Sequence, residues 1–69
     1  MKRYTLEVIK AEDTETMIIE CDDMQVNSAG CYTFYDEFEV GNSKIERRIA
    51  SYPINRTIIR HIKYNIENE

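Results

Sequence analysis

The sequence predicts a small all-β domain, in which five or six short antiparallel strands form a barrel or a tight sandwich. Two observations carry this prediction. Apolar and polar side chains alternate along several short segments, and the dipeptide Gly41-Asn42 separates two strand-like stretches in the manner of a hairpin turn. The 69 residues are expected to form a single domain, residues 1–69, because so short a chain has room for one hydrophobic core.

The first two strands are predicted near the N-terminus. Residues 2–10 alternate between apolar and polar side chains, and residues 15–22 do so again. A four-residue loop, 11–14, would join them into a hairpin in which Leu6 lies opposite Ile19. A short third strand around Met24 and Val26 is expected to end at the turn-forming residues 27–30.

The clearest hairpin covers residues 31–52. With Gly41-Asn42 as its turn, Phe38 lies opposite Ile45, and Asp36 lies opposite Arg47 on the same face. Asp36 and Arg47 are therefore predicted to form a structural ion pair. The same register pairs Tyr32 with Ser51, Phe34 with Ile49, Cys31 with Tyr52, Thr33 with Ala50 and Tyr35 with Arg48. Pro53 should end the second strand, because proline lacks the N–H that a sheet requires.

The segment from Ile54 onward fits two structures. Ile58, Ile62 and Ile66 are spaced as on one face of a helix, yet the same positions also fit a strand. The β-branched run 57–59 favours one turn at residues 53–56 followed by a strand, with a short helix as the alternative. Residues 67–69 are expected to fray.

This order of elements resembles SH3-like and Sm-like barrels. Several strands, then a tight turn with one short helical twist, then a final strand is the layout of those folds. The resemblance is one of layout and implies a small barrel.

Charge is unevenly distributed along the chain. The formal net charge is −4, which argues against a general nucleic-acid coat protein. Residues 12–39 contain nine acidic side chains and no lysine or arginine, whereas residues 44–63 contain six basic side chains and one acid. The two halves of the chain therefore have opposite electrostatic characters.

The inventory of reactive side chains predicts neither an enzyme nor a cofactor or metal site. His61 is the only histidine, and no spacing ties it to a nucleophile or to metal ligands. Cys21 and Cys31 are expected to be free thiols of a reducing compartment. Because no apolar run approaches the length of a membrane span, a cytoplasmic protein with no membrane contact is expected.

The candidate binding residues combine aromatic and basic side chains in the second half of the chain. In the predicted register Tyr35, Arg48 and Tyr52 share the hairpin face opposite Phe34 and Phe38, which is a suitable patch for a protein partner. The full candidate set is Tyr35, Arg48, Tyr52, Arg56, Arg60 and Lys63. Because arginine binds phosphate and bases stack on tyrosine, the same set would suit a nucleotide or a single-stranded nucleic acid.

The composition is rich in Ile, Asn, Lys, Glu and Tyr and poor in Ala and Gly, a bias expected of an AT-rich genome. In this bias, its length and its strand layout, the chain resembles small accessory proteins of phages and prophages of low-GC bacteria. That resemblance implies stoichiometric binding to, and inhibition of, a host protein such as a defence-system component. Such a small domain is also expected to form a homo-oligomer. A nucleotide-sequestering or single-strand-binding protein and a purely structural oligomer are the alternatives.

Overall fold

The computed structural model describes residues 1–68 and confirms an all-β fold. The strands are β1 (Lys2–Ile9), β2 (Thr14–Cys21), β3 (Asp23–Val26), β4 (Cys31–Val40), β5 (Ser43–Pro53) and β6 (Thr57–Tyr64). Two single 3₁₀ turns, Ile54–Arg56 and Ile66–Asn68, complete the described chain. Of the residues predicted to fray, Glu69 lies outside the described range.

The strands form two antiparallel three-stranded sheets rather than a closed barrel over residues 1–68. The first sheet has the order β2-β1-β6 and the second the order β3-β4-β5. Their inner faces pack together, and Cα extents of 47 × 32 × 12 Å describe a thin, elongated sandwich. Its core consists of Tyr4, Leu6, Ile19, Cys21 and Phe34.

The N-terminal hairpin forms in a register two residues away from the predicted one. Leu6 lies opposite Met17, and Ile19 lies opposite Tyr4. The reason is the position of the loop, which begins at Lys10, where the Lys10 N–H donates to the Asp13 carbonyl at 2.8 Å. Because a shift of two residues leaves every side chain on the same face, Leu6 and Ile19 still reach the core.

The central hairpin confirms the predicted register only between its turn and Tyr35. From Val40 opposite Ser43 to Tyr35 opposite Arg48 the pairs are as predicted, but Phe34 lies opposite Ala50 because Ile49 is an extra, bulged residue. The predicted pairs beyond that point, Phe34 with Ile49, Thr33 with Ala50, Tyr32 with Ser51 and Cys31 with Tyr52, are therefore wrong.

The C-terminal segment is a strand, and the helical alternative is wrong. After the 3₁₀ turn Ile54–Arg56, strand β6 pairs antiparallel with β1. Its β-branched residues suit the pleated surface, and Thr57 is buried. The pairing brings the two chain ends together, since the Ile66 N–H donates to the Met1 carbonyl at 3.2 Å.

Both cysteines are free thiols, in different surroundings. Cys21 is fully buried, and this burial raises the pKa of its thiol. Cys31 is only half-buried at the start of β4.

Candidate interaction surface on the β4–β5 ribbon

The outer part of the β4–β5 hairpin extends past the sheet that covers its base. The first sheet ends beside Asp36, where the Asp22 N–H donates to Asp36 Oδ1 at 3.0 Å and the Glu37 N–H donates to Asp22 Oδ2 at 2.8 Å. Beyond this junction every residue from Phe38 to Ile49 is exposed. We call residues 36–48 the projecting ribbon.

One face of the ribbon, the inner ribbon face, continues the face that lines the core. Phe34 is fully buried, but four residues further along β4 Phe38 is 44% exposed, and its cross-strand partner Ile45 is 39% exposed. Val40, nearer the turn, is 55% exposed. These side chains point to the layer that the first sheet would occupy if it were longer, so the ribbon presents an uncovered apolar face.

A pocket of about 350 Å³, which we call the basal pocket, lies where the ribbon leaves the body of the protein. Its lining residues are Met1, Asp22, Asp36, Glu37, Phe38 and Arg47. The pocket therefore lies between the end of the first sheet, which forms one wall, and the inner ribbon face, which forms the other.

Asp36 and Arg47 are paired on this face, as predicted, but they are not equal members of a structural ion pair. Arg47 Nη2 lies 3.6 Å from Asp36 Oδ2, and the Arg47 side chain is 70% exposed. Asp36 is 20% exposed, and its other carboxylate oxygen accepts the backbone N–H of Asp22. Asp36 is the residue that stabilises this junction, because its carboxylate accepts a hydrogen bond from the backbone of the linker between β2 and β3.

The opposite, outer face of the second sheet contains a polar pocket of about 250 Å³. Its lining residues are Gln25, Asn27, Thr33, Tyr35, Glu46 and Arg48. Tyr35 and Arg48 are cross-strand neighbours, but the ring of Tyr35 is covered and only 8% of the residue is exposed. Desolvation, reinforced by the carboxylates of Asp23, Glu37 and Glu46, raises the pKa of Tyr35. Tyr35 thus forms the floor of the pocket, whereas Arg48 is exposed at its rim.

Tyr52 does not belong to this outer patch, contrary to the sequence prediction. The bulge at Ile49 reverses the side to which the later residues of β5 point, so Tyr52 packs against the core. Its ring centroid lies 6.3 Å from that of Phe34, in an edge-to-face contact.

The remaining candidate residues lie away from Arg48. Arg60 and Lys63 are on β6 of the first sheet. Arg60 is bound to Glu7 of β1 at 2.9 Å, and this hydrogen bond lowers the pKa of the Glu7 carboxyl. Arg56 lies in the turn between the two sheets. The structure therefore divides the predicted cluster between two sheets instead of assembling it into one site.

The alternation of the sequence predicts Phe38 and Ile45 on the apolar face, but it does not show that both side chains are exposed. Strand length is the signal that could have revealed this exposure. The strands β4 and β5 contain 10 and 11 residues, whereas β1, β2 and β6 contain 8 each, so the second sheet must extend past the first.

Within residues 1–68, no group of three His, Cys, Asp or Glu side chains is placed to hold a metal ion. The described residues also contain no helix of the length and apolarity that crossing a membrane requires. Comparison of the chain with protein families, with curated proteins and with solved structures finds no match.

Proposed function

We propose that this chain is a non-catalytic binding protein of phage or mobile-element origin that acts in the host cytoplasm by stoichiometric binding to a host protein. The observation that supports the proposal is the projecting ribbon. An apolar face held clear of the body, backed by a charged outer face, has the composition of a docking element, with an anchor of Phe and Ile surrounded by polar groups.

The two ribbon faces suit different contacts. The inner ribbon face offers Phe38, Val40 and Ile45 for apolar burial. The outer face offers Arg48 beside the polar pocket, where a carboxylate or backbone carbonyl of a partner would be bound. A partner that contacts the ribbon along its length would meet one of these surfaces or both.

Affinity capture from a lysate of the candidate host tests the proposal. The wild type should retain one host protein in stoichiometric amount, and at least one of the variants Phe38→Glu and Arg48→Glu should lose it. Ile18→Glu is the matched control, because Ile18 is an equally apolar side chain, 64% exposed, on β2 of the first sheet. Retention of the same partner by both ribbon variants, or no partner for the wild type, would reject the proposal.

A nucleotide or small-molecule binder is the second candidate, and the polar outer pocket favours it. The pocket of about 250 Å³ has Arg48 at its rim, where the guanidinium would bind the phosphate of a small anionic ligand. Titration with nucleotides and short single strands at low and high salt should then give saturable binding that Arg48→Glu weakens. Absence of binding at low salt would eliminate this function.

A further inference from the structure

We infer that the inner ribbon face binds the inner ribbon face of a second copy of this chain, forming a two-fold symmetric dimer. The inference rests on the proposed role of the ribbon as a docking element, and it names the occupant of one face. The other face, with Arg48, stays available to a different partner.

The shape of the molecule is the first argument. At one end of the protein the two sheets pack against each other through the core, and at the other end the ribbon extends beyond the first sheet. Stacked sheets lie about 10 Å apart, so the empty layer beside the ribbon has the thickness of one more sheet. A second ribbon entering that layer from the opposite direction fills it, and by symmetry the first ribbon fills the vacant layer of the second copy.

The position of the apolar residues is the second argument. If the two-fold axis lies in the plane between the ribbons beside Phe38, then Phe38 and Ile45 of one copy lie over the same residues of the other. Val40, two positions towards the turn, then lies over Asp36 of the second copy, at the mouth of the basal pocket. The pocket wall contributed by Met1 and Phe38 offers an apolar contact for this valine.

Charge is the third argument, and it separates this arrangement from the alternatives. The inner ribbon face has one acid and one base, Asp36 and Arg47. With the two-fold axis beside Phe38, stacking places neither residue over the same residue of the other copy. Pairing through the free edge of β5 would instead bring the cations Lys44, Arg47 and Arg48 of two copies together. Stacking of the outer faces about an axis beside Glu37 would place Glu37 and its cross-strand neighbour Glu46 over the same carboxylates of the other copy.

The size of the contact sets the expected affinity. Three cross-strand pairs of the inner ribbon face, the basal pocket and the turn make an interface at the small end of specific contacts. A dissociation constant in the micromolar range is therefore expected, and the mass must be followed over a series of protein concentrations.

Sedimentation velocity from micromolar to millimolar protein is the first test. The 8.2 kDa chain should move towards twice its mass as concentration rises. Phe38→Glu should raise the dissociation constant at least about 100-fold, because a central interface residue is replaced in both copies. Ile18→Glu should leave it unchanged, and far-UV circular dichroism should show that both variants remain folded.

Cross-linking tests the geometry independently. In a Cys31→Ser background, Ile45→Cys should be joined rapidly to its copy by a short bismaleimide. The adjacent Lys44→Cys, on the outer face, should react with the reagent without forming the linked dimer.

Two outcomes would overturn the inference. One is a wild type that stays monomeric up to millimolar concentration, and the other is Lys44→Cys linking as fast as Ile45→Cys. If the monomeric protein still captured a host protein through Phe38, the dimer would be rejected while the proposed function would stand. If the dimer formed and no host protein bound the ribbon, the proposed function would fail while the dimer would stand.

Discussion

Asp36 and Asp22 exchange hydrogen bonds where the two sheets meet. Asp36 Oδ1 accepts the Asp22 N–H, and Asp22 Oδ2 accepts the Glu37 N–H, at 3.0 Å and 2.8 Å. The side chain of each residue thus satisfies a backbone donor on the opposite segment. This reciprocal arrangement fixes the one-residue linker between β2 and β3 against β4, at the point where the ribbon begins.

The variants Asp36→Ala and Arg47→Ala should differ clearly in stability. Asp36→Ala leaves a partly buried backbone N–H without its acceptor, and we expect it to lower the free energy of unfolding by about 1–3 kcal/mol. Arg47→Ala removes an exposed side chain 3.6 Å from its partner, and we expect a loss below about 1 kcal/mol. Urea denaturation followed by circular dichroism measures both values.

Arg48→Ala, one residue further along β5, is the control for Arg47→Ala and should also have little effect on the folded state. Equal losses in the Asp36 and Arg47 variants would show that the ion pair, and not the hydrogen bonds of the linker, holds this junction. That result would restore the structural pair expected from the sequence.

Among the elements, the strands and their inward faces were predictable because alternation has a period of two. The predicted register of the N-terminal hairpin is two residues away from the observed one, yet it puts Leu6 and Ile19 on the correct face. The Gly41-Asn42 turn fixed the register of the ribbon in the same local way. The β-branched segment after Arg56 identified β6 correctly.

The bulge at Ile49 was not predictable in this way, because an extra residue follows from how the two sheets fit together. Nothing in the alternation of 43–53 marks the position, yet every side chain beyond it changes face. For this reason Tyr52 packs against the core and does not belong to the candidate patch on the outer face. The exposure of Phe38 is likewise a property of the pair of sheets, since it depends on where the first sheet ends.

The turn of the ribbon depends on Gly41, whose φ is +62°, whereas Asn42 does not have a positive φ. A positive φ at the first central residue alone is the requirement of a type II′ turn. A Cβ at Gly41 would meet no atom within 4 Å, so a substitution there acts through backbone strain only.

Gly41→Ala should therefore loosen the ribbon without disturbing the core. We expect a penalty of about 1–2 kcal/mol, which raises the hydrogen-exchange rates of the amides that pair near the turn, such as Val40 and Ser43. The amides of β1 should exchange as in the wild type. Asn42→Ala is the matched control, and faster exchange to the same extent in that variant would show that the turn is not of the assigned type.

At the scale of the whole molecule, one ion pair joins the two sheets near the junction. Lys2 of β1 donates to Asp23 Oδ1 of β3 at 3.0 Å, and the Met24 N–H donates to the same carboxylate at 2.8 Å. The backbone hydrogen bond and Lys2 lower the pKa of Asp23, and the hydrogen bond to Asp23 raises the pKa of Lys2. The free energy of unfolding therefore depends on the protonation of both groups.

The directions of these pKa shifts predict that the free energy of unfolding is constant around neutral pH and falls at both acid and alkaline pH. The contribution of Asp23, whose pKa is lowered, is complete above its ordinary value of 3.8 and disappears as pH falls through the lower, folded value. The contribution of Lys2, whose pKa is raised, is complete below 10.5 and disappears as pH rises through the higher, folded value. Since the Asp23 side chain is 46% exposed, its ion pair should contribute less than about 1 kcal/mol.

Urea midpoints of the wild type and Asp23→Asn, measured from pH 7 down into the acid range, test this linkage. The variant should be less stable at neutral pH, and the difference should shrink as the wild-type carboxylate is protonated, because neither protein then has an ion pair with Lys2. Asp13→Asn, in the exposed loop between β1 and β2, is the control and should follow the wild type throughout. A difference between wild type and Asp23→Asn that stays constant as the pH falls would show that the geometry of residue 23, and not its charge, connects the sheets.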